Sequence, residues 1–415
     1  MDRQISIRVL RWLVRRPSTY RLLGVLLEVL NRKEKNEAYK IWVRFLLEVT
    51  QKAYAHRRPV IWMNAFTPSE IAYALGGVPF MPEIIASLVS YLGWSRRPIS
   101  LADTYISTDV CSFYRCALGL VLEGYLPHPD LIISSSHLCD GANKFFRYLS
   151  KLYGCPHFFL DPPYKCDTLG RRYMISQLKE VVEAASGLIH VPLDEGRLAQ
   201  TIDLSNQARR YMEDINRLRQ NIPSPFPGSE GLSYLAGMNF YSLGSERGVD
   251  FYRTLYHYIE RKVVKAEGYL LKERHRLLWL HHIRPYYENE IFQILGDRGV
   301  AVSFEEPNYL YWPSLDPSRP WESLAEKITS NIWAGPLDRR IEAVWRMVQD
   351  YSIDGVIHFS HWGCRQSCGG AGVIGDFLKE KGVPYIILPG DGADPDNYSP
   401  GQTRTRLEAL VEMLG

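Results

Sequence analysis

A chain of 415 residues with 46% apolar side chains can fill more than one hydrophobic core, so two domains with a helical attachment are expected. Its 49 lysines and arginines nearly balance 46 acidic residues, and a formal charge of +3 gives no electrostatic case for nucleic acid. The apolar stretch from Leu22 to Leu27 stops at Glu28, well short of the roughly 20 residues a membrane span needs, and Arg8, Arg11, Arg15 and Arg16 break any signal-peptide core.

In chain order, residues 1–55 are expected to be helical, because Ile41, Val43, Phe45, Leu46 and Val49 recur at helical spacing. The basic N-terminal stretch around Val9, Leu10, Leu13 and Val14 is expected to pack on the body rather than lie on a membrane. A short apolar run at 59–66 then stops at Thr67-Pro68-Ser69-Glu70, a helix start in which proline is tolerated because the first turn has no N–H partners to lose. Strand, turn and helix return at 131–135, followed by Cys139-Asp140-Gly141 and a helix from about Asn143, and at 157–161, followed by Pro162-Pro163-Tyr164. A helical middle at 171–275 is interrupted by Pro223, Pro225 and Pro227, after which strands are expected at 277–280, 300–304, 355–359 and 385–388. This alternation implies parallel sheets. The expected fold class is therefore α/β: two doubly wound parallel-sheet domains of the Rossmann or flavodoxin type, with a helical N-terminus and a helical middle. The expected boundaries are an N-terminal segment 1–55, a first domain 56–225, and a second domain 226–415 with a helical lead-in.

The chain has seven cysteines. Cys111 and Cys116 form one close pair, Cys364 and Cys368 another, and Cys139, Cys155 and Cys166 lie between them. A long chain without a secretory signal does not suggest a disulfide framework, so the thiols are expected to be reduced, in a cytoplasm. Soft sulfur ligands delivered by three separate regions, each near the end of a probable strand, suit an iron–sulfur site, zinc or copper(I). The spacings C-x4-C and C-x3-C are not the C-x2-C pairs of a zinc ribbon, and ordinary buried thiols are the plainer alternative. Ligands of open parallel sheets sit beyond the carboxyl ends of the strands. Cys139, Cys166, Cys364 and Cys368 are expected on that edge, whereas Cys155 precedes its strand and should face the other. Gly369-Gly370-Ala371-Gly372 opens a helix whose N-terminus would favour a negatively charged group.

These residues carry a resemblance. Pro68-Ser69-Glu70, Asp109-Val110-Cys111-Ser112, Cys139-Asp140-Gly141 with Lys144, Gly363-Cys364-Arg365, and the tail from Gly401 to Ala409 are similar in order and spacing to the 2-hydroxyacyl-CoA dehydratase and benzoyl-CoA reductase family, especially its double-cubane cluster protein branch. The resemblance covers most of the chain from about residue 55 onward. It implies that Cys111, Cys139 and Cys364 hold one 4Fe-4S unit. In the double-cubane branch six cysteines hold two bridged units, which implies added roles for Cys116 and Cys368, with Cys166 as the sixth and Cys155 only as its alternative. It also implies a separate ATP-hydrolysing iron–sulfur activator that supplies low-potential electrons, a small-molecule substrate, and a homodimer. The expected function is thus an iron–sulfur oxidoreductase of the double-cubane type. The alternatives are a 2-hydroxyacyl-CoA dehydratase subunit with a single 4Fe-4S cluster and an unlike partner, and a non-catalytic electron-transfer module.

Residues beside the cysteines are candidates for the chemistry. His137 and His361 could donate a proton or a hydrogen bond to cluster sulfur, or merely cap a strand. Arg115 and Arg365 could offset cluster charge or orient an anionic substrate, or form surface ion pairs. Asp391 ends the last expected strand, where it could hold a hydrogen bond to the site or serve a turn.

Overall fold

Val60, Ile61, Trp62 and Met63 are all fully buried and form β1, the strand Val60–Met63. A strand covered on both faces reads as a continuous apolar run, which is the signature of a parallel sheet between helix layers. The computed structural model describes residues 2–30, 34, 36–136 and 139–415, so the candidate His137 lies outside the described residues.

Two four-stranded parallel sheets follow one another along the chain. The first holds β1, β2 (Val78–Phe80), β3 (Leu131–Ser135) and β4 (His157–Leu160) in the order β2-β1-β3-β4. The second holds β5 (His275–Leu280), β6 (Val300–Glu305), β7 (Gly355–His361) and β8 (Tyr385–Gly390) in the order β6-β5-β7-β8. In each sheet the winding reverses beside its first strand, the place where open α/β sheets bind ligands. The expected fold class is the observed one. β2 is an addition to the expected strands, and the run expected at 59–66 pairs only as far as Met63.

The helical middle consists chiefly of Thr168–Leu188, Glu195–Leu218 and Glu246–Val264. Each begins on a side chain that accepts a backbone N–H: Asp167 from Gly170, Asp194 from Arg197, and Ser245 from Gly248. Near the N-terminus, the helix Glu37–Ala55 buries Phe45, Leu46 and Val49. The helices before it differ from expectation. Asp2–Val14 leaves Val9 51% and Trp12 53% exposed, Arg15 just beyond it donates through Nε to the Gly124 carbonyl at 2.8 Å, and Pro17–Leu30 leaves Leu22 70% and Val25 61% exposed. Among the described residues, no helix is long and apolar enough to cross a membrane.

Buried ion pairs join the parts of the chain that carry the two sheets. Arg115 reaches Asp103 at 2.9 Å and Asp394 at 2.9 Å while only 3% exposed, and Lys327 Nζ reaches Glu70 Oε1 at 2.5 Å. Arg115 is thus a buried brace rather than a surface residue.

Candidate functional site

The carboxyl edges of both sheets face one cavity of about 110 Å3. Beyond β3 the chain reaches Cys139, beyond β7 Cys364, and beyond β5 His281. Cys111 arrives differently. It follows the helix Arg96–Ala102 and a run of turns rather than a strand, which corrects the expectation that every thiol region ends a strand. All three cysteines line the cavity.

Each of the three is also the N-cap of a helix: Cys111 of Ser112–Leu122, Cys139 of Asp140–Tyr153, and Cys364 of Arg365–Glu380. The second helix starts three residues earlier than the sequence suggested, which is what puts Cys139 at its tip. Three positive dipole ends and their unpaired N–H groups therefore converge on one hollow, an arrangement that favours bound negative charge.

Backbone contact brings two of these segments together. Gly363 has φ +76, and a Cβ there would stand 2.7 Å from the Cys111 nitrogen and 2.9 Å from the Asp109 carbonyl. Only glycine fits both the conformation and the space. Gly363→Ala is expected to cost about 1–3 kcal/mol through forced backbone movement. Denaturant unfolding checks this, and an unchanged midpoint would mean the two backbones do not touch.

Burial dominates the electrostatics. It pushes the Cys364 thiol up to about 12 and the Cys111 thiol well above its ordinary value, and it raises Cys139, while the N–H groups of Ser367, Phe113 and Ala142 pull the other way. Such thiols stay protonated unless a cation takes the proton's place, as when a metal binds. His361 Nε2 lies 3.2 Å from Cys111 Sγ, His281 Nε2 lies 3.4 Å from Cys364 Sγ, and the Tyr114 hydroxyl bonds the Cys139 sulfur.

The remaining candidates are placed as follows. Cys368, one turn after Cys364, is exposed, with its sulfur 3.1 Å from Ser360 Oγ. Cys116 is fully buried in the core behind the cavity, near Asp394 and Arg115. Cys166 lies in the loop between β4 and Thr168–Leu188, outside the cavity lining, and Cys155 lies before β4. Arg365 is 81% exposed and donates to Asp140 at 3.1 Å, linking the first turns of the Cys364 and Cys139 helices across the mouth of the cavity. Asp391 accepts from Ser112 Oγ and from the N–H groups of Ala393 and Asp394, so it ties the Cys111 helix to the loop after β8.

Two lining residues went unnoticed in the sequence. His281 follows β5 at the same carboxyl edge, so the rule that located Cys139 could have found it. Glu83 opens the helix Pro82–Tyr91 after β2, a strand the sequence did not reveal. One Glu83 oxygen accepts the Ala65 N–H at 2.7 Å, whereas Oε2 is shielded from solvent with no partner among the described residues. Burial raises its carboxyl from 4.5 to about 7. Since the folded value lies above the unfolded one, the native state holds the extra proton between pH 4.5 and 7, and stability falls as pH rises through that window. Glu83→Gln is expected to flatten this part of the stability–pH curve. Urea midpoints measured from pH 4 to 8 check it, and parallel wild-type and variant curves would contradict it.

The donor set fits an iron–sulfur cluster better than a lone ion. A tetrahedral zinc draws its sulfurs to about 2.3 Å from the metal. The three thiols border a hollow. Sulfur ligands around an open space at three helix N-termini suit a larger anionic group.

Residues 64–414 match the family described as 2-hydroxyglutaryl-CoA dehydratase, D-component. The chain is similar to a benzoyl-CoA reductase subunit of Thauera aromatica, with 27% identity over 336 residues, 74% of this chain and 77% of that protein. It is similar to the (R)-phenyllactyl-CoA dehydratase alpha subunit of Clostridium sporogenes, with 23% identity over 376 residues, 85% of this chain and 89% of that protein. A third relative is the alpha subunit of (R)-2-hydroxyglutaryl-CoA dehydratase of Acidaminococcus fermentans, 23% identical over 305 residues, 70% of this chain and 61% of that protein.

Proposed function

Because the chain belongs to the 2-hydroxyglutaryl-CoA dehydratase D-component family, we propose that it is an iron–sulfur enzyme subunit in which Cys111, Cys139 and Cys364 hold one 4Fe-4S cluster. Its electrons come from a separate ATP-hydrolysing activator, and it acts on the acyl end of a CoA thioester. The observation that carries this reading is the convergence of three N-cap cysteines on one cavity.

Such a cluster supplies one-electron reduction at strongly negative potential. The chain's own residues supply the rest. Phe66, Phe240 and His282 border both the cysteine cavity and a neighbouring hollow of about 60 Å3 that Ser69, Asn239 and Lys327 also line. Their faces exclude water, and the polar groups beyond them can orient a short acyl chain. Glu83 lines the cysteine cavity, one of its oxygens has no partner among the described residues, and near neutral pH the carboxyl can either give or take a proton there. Glu83→Gln is expected to lower kcat by about 100-fold or more, the usual range for a proton-transferring group. Turnover with activator, ATP and a 2-hydroxyacyl-CoA or aryl-CoA thioester measures it, and wild-type kcat would remove Glu83 from proton transfer.

Two bridged cubanes in a homodimer are the second reading, favoured by Cys368 one turn beyond Cys364 at the same sheet edge. Iron and acid-labile sulfide per chain separate the two after anaerobic purification: about four of each for the single cluster, about twice that for the bridged pair. Full metal loading without turnover of any CoA thioester in the presence of activator and ATP would favour an electron-transfer module instead.

A further inference from the structure

We propose that His281, His361 and Tyr114 are fixed hydrogen-bond donors, one to each of the sulfurs of Cys364, Cys111 and Cys139, that raise the reduction potential of the cluster those sulfurs hold. The proposal rests on the single-cluster reading and assigns these three positioning residues a task within it.

Backbone groups decide which ring nitrogen carries the proton. Gly392 N–H donates to His361 Nδ1 at 3.1 Å, and Ile283 N–H donates to His281 Nδ1 at 3.0 Å. A ring nitrogen that accepts an N–H presents its lone pair, so in a neutral imidazole the hydrogen sits on Nε2. In both residues Nε2 is the atom that faces a cysteine sulfur, at 3.2 and 3.4 Å.

The surroundings keep both rings in this state. Asp391 Oδ1 approaches His361 Nδ1 only to 3.9 Å, beyond hydrogen-bond reach, and that oxygen is already occupied by Ser112, Ala393 and Asp394. His281 is held at φ +109, a conformation that L residues rarely adopt, and Glu306 Oε2 takes its backbone N–H at 2.8 Å. Strain of this kind persists only where the surrounding structure over-determines it. Tyr114 completes the set: its hydroxyl bonds the Cys139 sulfur, and both residues line the cavity.

A donor to a ligating sulfur withdraws charge and makes the added electron less unfavourable. Three such bonds lower the driving force the activator must supply. They also act on separate sulfurs, so each can be removed alone.

The test is an anaerobic redox titration by EPR of the purified, metal-loaded chain, comparing wild type with His281→Leu, His361→Leu and Tyr114→Phe. At the wild-type midpoint, each variant is expected to shift the reduced-to-oxidised ratio at least tenfold toward oxidised, equivalent to roughly 59 mV for a one-electron couple. His281→Gln and His361→Gln retain an amide N–H and should recover part of the shift. If a leucine variant fails to load iron, the glutamine variants carry the test through exchangeable-proton couplings in pulsed EPR after transfer to D2O, which should be altered relative to wild type. Wild-type potentials and couplings in variants with full iron content would overturn the donor assignment alone. A wild-type chain that takes up no iron would overturn the cluster reading and this proposal with it.

Discussion

Cys139→Ala is expected to yield a folded chain without stably bound iron and without turnover. The thiol sits at the tip of the helix Asp140–Tyr153 and borders the cavity, so truncating it removes a ligand and little apolar packing. With one of three thiolates gone, the remaining two cannot enclose a cluster, and burial returns them to the neutral thiol. Cys111→Ala and Cys364→Ala should behave alike. Cys116→Ala and Cys166→Ala should keep the wild-type iron content, because the first sulfur lies in the core behind the site and the second outside the cavity lining. Iron and sulfide analysis with a visible spectrum checks the whole series. Full iron in Cys139→Ala would refute the assignment, whereas a loss of half the iron in Cys116→Ala or Cys166→Ala would move the account to the bridged pair.

Arg340→Ala is expected to cost about 3–5 kcal/mol, the usual effect of stranding one partner of a buried ion pair. Arg340 donates through Nε to Glu306 Oε1 at 2.6 Å and through Nη2 to Oε2 at 2.9 Å, and its guanidinium lies 3.9 Å from the centre of the Trp333 ring. Burial alone would raise the Glu306 carboxyl, but the Arg340 charge and hydrogen bonds, with His282 and His358, together leave it below its usual value. Without the arginine that carboxylate becomes an unpaired buried charge, and it also holds the His281 N–H. Lysine is not expected to rescue, since a compact ammonium cannot make both bonds. Denaturant unfolding measures the cost, and a change within about 0.5 kcal/mol would place Arg340 among ordinary surface residues.

Much of the framework was legible because buried parallel strands announce themselves. The runs at 131–135 and 300–304 are apolar or small along their length and end within one residue of their strands. The three-residue strand Val78-Pro79-Phe80 was not legible: it is too short to show a period, and its central proline argues against an interior strand while being allowed at the edge position it occupies. Missing it hid Glu83 as well. The carboxyl-edge rule led from sequence to Cys139 and Cys364 without needing distances. Cys116 lies five residues beyond Cys111, well over one helical turn, and is buried outside the cavity lining, a separation that the closeness of the two in sequence does not reveal. Neither reading of Arg115, a charge beside the cysteines or a surface ion pair, includes its burial, since the aspartates it meets come from positions 103 and 394, contacts no local pattern contains.

The central claim, that three distant cysteines grip one cluster, is tested most directly by anomalous X-ray scattering at the iron edge from crystals of the anaerobically purified chain. The account predicts compact iron density within bonding distance of Cys111, Cys139 and Cys364 and of no other cysteine. Iron elsewhere, or a lone ion on fewer than three of these sulfurs, would contradict it.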